Sequence, residues 1–157
     1  GHGMMTKKIF NSTFENSLRA VLLLDEMQKP ARLDRIYVID FMISYGAAFG
    51  YSLTDLNGDN PYKFSEFPFR RNCVKDALRQ LVLDGYAIPI HGRNGIEYLI
   101  TENGSNYSRS LSSDYAKEYR HIAKQIIENT ANISERKMIA EINRMTAYDK
   151  IGGALVE

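Results

Sequence analysis

At 157 residues, 44% apolar and 25% charged, the chain has the composition of one globular unit able to bury a core of its own. Its 20 lysines and arginines against 19 acids leave a net charge of +1, which excludes a uniformly basic nucleic-acid coat and confines any basic patch to one face. Cys73 is the single cysteine, so a disulfide framework and a thiolate metal set are excluded, and no apolar run approaches the ~20 residues that span a bilayer. The expected compartment is the cytoplasm, with no membrane partner.

In chain order, residues 1–11 form a tag remnant and a loose, polar N-terminus. Gly1-His2-Gly3 ahead of Met4 is set outside the fold, and Ile9 and Phe10 are the side chains able to pack. Ser12 three residues before Glu15 has the capping-box spacing and predicts a helix running to about Gln28, stopped by Pro30. Phe14, Leu18, Val21, Leu22 and Asp25 share one of its faces, and Leu23 and Leu24 widen the stripe, so this helix must be covered on more than one side. Leu33 to Tyr45 predicts a second helix that buries Ile36, Ile39, Phe41, Met42 and Ile43 and ends at Gly46.

A DNA-reading helix-turn-helix would continue after three or four residues. Residues 46–68 instead read as a long irregular segment, rich in Gly, Asn and Asp and carrying Phe49, Tyr51, Tyr62, Phe64 and Phe67. So many rings argue against disorder: they either cover the apolar helices or stay exposed as partner anchors. From Arg70 to Asp84 the period is helical again, with Val74, Ala77, Leu78, Leu81 and Val82 on one face and Gly85 at the C-terminus, where positive φ is wanted. The period then drops to two. Tyr86, Ile88 and Ile90 alternate, Asn94-Gly95 predicts a type I′ turn, and Ile96, Tyr98 and Ile100 alternate again before Thr101, a helix cap.

Helix, strand, short turn, strand, helix is the second half of a winged helix, with residues 91–95 as the wing. Glu102 to Leu111 predicts a short helix. Ser112 or Ser113 caps a longer one carrying Tyr115, Tyr119, Ile122, Ile126 and Ile127, and Ser134 begins a last helix with Met138, Ile139, Ile142 and Met145. The expected class is therefore α+β, mostly α. A winged helix-turn-helix domain spans 12–111 with its long 46–68 loop, C-terminal helices span 112–150, and 151–157 is a frayed tail. Three arrangements are open to the C-terminal helices: folding back on the first helix, forming a homodimer seam, or awaiting another subunit.

No catalytic constellation stands out. The three histidines are scattered, no His or Cys pair has metal-ligand spacing, and Gly46 to Gly50 lacks the Lys-Ser/Thr of a phosphate loop. The sequence predicts no catalytic, cofactor or metal site. What remains is a basic row, Arg71, Lys75 and Arg79 with Arg70 and the wing residue Arg93, as the candidate DNA contact. The candidate partner-binding residues are Phe49, Tyr51, Tyr62, Phe64 and Phe67 in the aromatic segment and Tyr119, Ile126, Met138 and Ile142 on the C-terminal helices.

Further residues carry a family resemblance over roughly positions 10 to 145. They are Phe10-Asn11 leading to Val21-Leu22-Leu23-Leu24-Asp25-Glu26, and Leu33-Asp34-Arg35-Ile36 leading to Ile39-Asp40-Phe41. Arg70-Arg71, Val74-Lys75-Asp76-Ala77-Leu78 and Leu81-Val82-Leu83-Asp84-Gly85-Tyr86 follow, and Gly95-Ile96-Glu97-Tyr98 with Thr101 and Gly104 complete the pattern. The sequence resembles the middle component of three-component ABC-ATPase bacterial conflict systems, the group that includes the small subunit of Lamassu-type defence systems. It departs from them in its Tyr- and Phe-rich loop and its Met/Ile-rich tail. The resemblance implies a non-catalytic adaptor that joins an SMC- or Rad50-like ATPase to an effector in defence against phage or plasmid DNA, touching DNA through the assembled complex. The alternative is a dimeric winged-helix transcriptional regulator that binds DNA directly.

Overall fold

The first helix, α1 (Thr13–Met27), begins at its expected cap: Ser12, in an extended conformation, accepts the Glu15 amide at 3.1 Å. It ends ahead of Pro30, with Gln28 in the left-handed region at φ 54°. This computed structural model describes residues 12–56 and 63–156, with side chains as far as residue 147. Ile9, Phe10 and Tyr62 lie outside the described residues. Four consecutive residues of α1, Val21 to Leu24, are buried, so its apolar surface wraps most of the way round. Such a helix must be surrounded, and α1 packs against α2 (Leu33–Ser44), α3 (Lys63–Leu83), α4 (Glu102–Ser110) and α5 (Asp114–Thr130).

Between α1 and α2 the chain makes a two-residue strand, β1 (Ala31–Arg32). It joins the hairpin of β2 (Ala87–Gly92) and β3 (Gly95–Ile100) in an antiparallel sheet of order β1-β3-β2, with Ala31 opposite Tyr98 and Pro89 opposite Tyr98 on the other side. The fold is thus mostly helical with a small three-stranded sheet. Ala31, Ala87 and Ile100 bury one face of that sheet, and Ile88 is exposed on the other.

Two local expectations are corrected. Residues 63–68 are helical rather than loop: α3 starts at Lys63 and carries Pro68 inside it. Phe64 and Phe67 continue inward the same spacing that buries Arg70, Val74, Ala77 and Leu81, while Pro68 stands on the exposed side. Burial of two aromatic rings outweighs the backbone hydrogen bond that a proline forgoes. The connection from α2 nevertheless stays long, opening with a 3-10 turn at Gly46–Phe49. The hairpin turn also sits one residue earlier than expected. Gly92 pairs with Gly95, so Arg93 and Asn94 form the turn, and neither has positive φ. A type I′ turn needs two positive-φ residues. Here Gly95 alone supplies one, at φ 116°, which suits a type I turn followed by a glycine bulge.

The C-terminal helices fold back on the body of the protein. Ser113 caps α5 by accepting the Ala116 amide, and Tyr119, Ile122, Ala123 and Ile126 are buried in the same cluster as α1 and α2. The final helix, α6 (Glu135–Val156), packs Met138 and Ile142 onto this cluster and continues through 151–156, where a separate tail was expected. Arginines clamp the two connections. Arg120 donates to the carbonyls of Ser108 and Leu111 at the end of α4. Arg35 donates to the Thr130 and Ile133 carbonyls, at 2.5 and 3.0 Å, and to Glu135 at the start of α6.

Helix α4 approaches the chain closely at Gly104, whose amide is held by the Thr101 hydroxyl at 3.0 Å while that hydroxyl donates to the Gly85 carbonyl at 2.7 Å. A Cβ at position 104 would collide with the backbone carbonyl of Tyr86. Gly104→Ala is therefore expected to cost about 1–3 kcal/mol, although alanine favours helix, because a backbone oxygen cannot rotate away. Urea unfolding of the two proteins checks it.

Candidate functional site

The most buried charged group among the described residues is Asp40, midway along α2 with its side chain 3% exposed. Its carboxylate accepts Arg19 Nε of α1 at 3.3 Å, Arg70 Nη1 of α3 at 2.9 Å and the Tyr119 hydroxyl of α5 at 2.7 Å. Arg70 also donates to Ser44 and lies over the rings of Phe41 and Tyr45 at 5.8 and 5.9 Å. Burial alone would raise the Asp40 carboxyl, but the Arg19 and Arg70 charges and the hydrogen bonds from Tyr119 and Arg70 hold it below its ordinary value. Burial, and then the Asp40 charge it bonds to, push the Tyr119 hydroxyl far up. Every member is occupied and enclosed, so the cluster is a structural lock and not a reaction centre. It went unread in the sequence, although its signal was present: Arg19 and Asp40 are opposite charges set into two otherwise apolar helix faces.

The aromatic segment mostly turns inward. Phe41 is its hub, with ring centroids of Tyr45, Phe49, Phe64 and Phe67 at 5.1, 6.2, 6.1 and 4.9 Å. Of the candidate partner residues, Phe64, Phe67, Tyr119, Ile126, Met138 and Ile142 are buried in the core of the isolated chain. The helical spacing of the first four points them at α1 and α2, and Tyr119 serves Asp40.

Phe49, Tyr51, Met138 and Ile142 do come together. They line an open groove of about 290 Å³ between α2, the 3-10 turn and α6. Met42, Met138 and Ile142 are its buried members and Phe49 and Tyr51 its half-buried ones. Ile133 and the exposed Lys137 and Glu141 complete its edge, and Asn129 donates to the Tyr51 hydroxyl at 3.2 Å. Methionine and aromatic linings repack around different side chains, which suits a protein-binding groove.

Of the basic row, Arg70 is committed to Asp40, and Arg71 pairs with Asp34 of α2 at 3.0 Å. Lys75, Arg79 and Arg93 are exposed and form no ion pair among the described residues. Arg71, Lys75 and Arg79, spaced at i, i+4 and i+8, share the exposed side of α3, where Phe69 and Leu83, 70% and 73% exposed, also project outward. No group of acids, histidines and cysteines able to hold a metal occurs among the described residues, and no helix there is long and apolar enough to cross a membrane.

The family model of the ABC-three component (ABC-3C) system Middle Component 2 matches residues 9–150. Neither the curated proteins nor the solved structures provide a match.

Replacing Asp40 tests the lock. Asp40→Asn leaves two buried guanidiniums without their counter-charge and is expected to cost about 3–5 kcal/mol. Because the folded carboxyl lies below its unfolded value of about 3.9, its contribution is complete above that pH and is lost as the pH falls further. Melting temperatures followed from neutral to acid pH should therefore show a shallower acid decline in Asp40→Asn than in the parent protein.

Proposed function

Because the chain belongs to the Middle Component 2 family of ABC-three component systems, we propose that it is a winged-helix accessory subunit that links an SMC- or Rad50-like ATPase to an effector in bacterial defence against phage or plasmid DNA. The family match carries this reading, since a middle component works with the other parts of its system. The helix–strand–helix–helix–hairpin order and the β1-β3-β2 sheet support the winged-helix description. A non-catalytic role agrees with the deepest charged groups being consumed in ion pairs that hold helices together. The groove at Phe49, Tyr51 and Ile133 is the proposed seat of one partner, and DNA is met through the assembled complex, with Lys75, Arg79 and Arg93 as the cations left to reach phosphates.

Phe64→Asp and Ile126→Asp would report on folding, because both side chains lie in the core. Groove variants separate docking from folding. In co-expression with the other two components, Lys137→Glu combined with Glu141→Lys, both exposed at the groove edge, is expected to lower capture of one component at least about tenfold, a loss of ~1.4 kcal/mol, while leaving the melting temperature of the isolated chain nearly unchanged. Undiminished capture would remove the groove from the reading. Failure of the unaltered chain to hold either component would sink the adaptor role itself.

A further inference from the structure

A second concavity lies away from the groove and shares no helix or strand with it. It is a cleft of about 220 Å³ bounded by the start of α1, the end of α3 and the middle of α4. Tyr86 and Tyr107 form one wall, stacked with centroids 4.6 Å apart and planes 10° from parallel. Phe14, the second residue of α1, forms another and is 62% exposed, an unusual state for a phenyl ring beside two further aromatic rings. Asp84 supplies the charge. Its Oδ1 accepts Gln80 Nε2 at 3.1 Å, while Oδ2 has no hydrogen bond or ion pair with any described residue. None of the lining residues is a cation.

Aromatic faces carry negative potential, and a carboxylate beside them adds a full charge, so the cleft is complementary to a cation and repels phosphate. Burial, the neighbouring Tyr86 and the Asp84 charge raise the Tyr107 hydroxyl above its ordinary value, keeping the ring neutral and its π face intact. A flat tyrosine pair next to a free carboxylate oxygen favours a planar cation over a compact one. A guanidinium stacks on the ring while its edge donates to the carboxylate, and it loses less hydration than an ammonium.

We propose that the cleft formed by Phe14, Tyr86, Tyr107 and Asp84 binds an arginine side chain presented by a partner protein. The inference rests on the adaptor reading only in taking the arginine to come from another component of the system. It gives the chain two docking sites of different character: a methionine-floored apolar groove and an aromatic-carboxylate cleft.

Two measurements test it. In the first, acetyl-Gly-Arg-Gly-amide is titrated into the full isotope-labelled chain and followed by NMR. Saturable shifts are expected at Asp84, Tyr86 and Tyr107, with binding at least about fivefold weaker for the lysine analogue. Asp84→Asn and Phe14→Ser, both at exposed positions and so tolerated by the fold, should abolish saturation. Equal or non-saturating responses to the arginine, lysine and glutamate peptides would overturn the proposal, as would undiminished binding by Asp84→Asn. In the second, Asp84→Lys is co-expressed with the other two components and should lose one of them at least about tenfold, with Asp84→Glu retaining it. If the unaltered complex assembles and Asp84→Lys captures both components normally, the cleft proposal falls and the adaptor reading stands. If the unaltered chain captures neither, the adaptor reading falls and the peptide titration alone decides the cleft.

Discussion

One buried carboxylate sets the arrangement of four core helices, α1, α2, α3 and α5. Asp40 of α2 receives a donor from α1, from α3 and from α5, so the rotation and height of each of those helices is fixed against a single pair of oxygens. Removing an aspartate and two arginines from water costs several kcal/mol per ion, and hydrophobic replacements of similar shape would stabilise as well or better. What the cluster adds is discrimination. Apolar helices such as α1, with Val21 to Leu24 all buried, can slide or rotate against one another with little change in buried area. Displacing any of them here would strand a charge. The same commitment explains why Arg70 is lost to any surface role, since an arginine that neutralises a core carboxylate cannot also reach a phosphate.

The aromatic segment obeys a related constraint. Phe41 lies on the face of α2 next to Asp40, and the rings of Tyr45, Phe49, Phe64 and Phe67 gather round it, with the Arg70 guanidinium over one side. Phe64 and Phe67 are therefore drawn inward, into the apolar jacket of the charge cluster. Phe49 and Tyr51 stay half-buried, and it is there that the groove against α6 opens. Arg35 contributes to that groove without lining it: by holding the Thr130 and Ile133 carbonyls it fixes the turn that delivers α6 and its Met138 and Ile142.

Local sequence signals carried most of the elements. Ser12, Thr101 and Ser113 each cap the helix that their hydroxyls suggested, Gly85 takes positive φ, and the two-residue alternation on either side of the wing becomes β2 and β3. The failures have physical causes. Pro68 masked the first turns of α3, because a proline is read as a helix breaker unless the inward spacing of Phe64 and Phe67 is weighed against it. The turn slipped to Arg93-Asn94 because an Asn-Gly pair suits two turn geometries, and only the pairing of Gly92 with Gly95 distinguishes them. The site was less legible than the fold. Whether a ring is an anchor or a core residue depends on contacts dozens of residues away, such as Tyr119 reaching Asp40, and no local period encodes them.

If the chain joins other subunits, as proposed, the distribution of surfaces over elements matters more than any one surface. The groove is built by α2, the 3-10 turn, α5 and α6, and the cleft by α1, α3 and α4. These two sets of helices meet at Asp40, which takes its hydrogen bonds from α1 and α3 on one side of the division and from α5 on the other. A ligand that shifted either set would therefore work against the least compliant contact in the core. On the adaptor reading, the ion cluster makes the chain a rigid spacer: force or movement delivered at one docking site is passed to the other without the two halves of the core sliding past each other. On this reading the ion cluster at the centre holds the helices in place and the apolar groove and aromatic cleft meet the partners, while Arg71, Lys75 and Arg79 keep the outside of α3 positively charged.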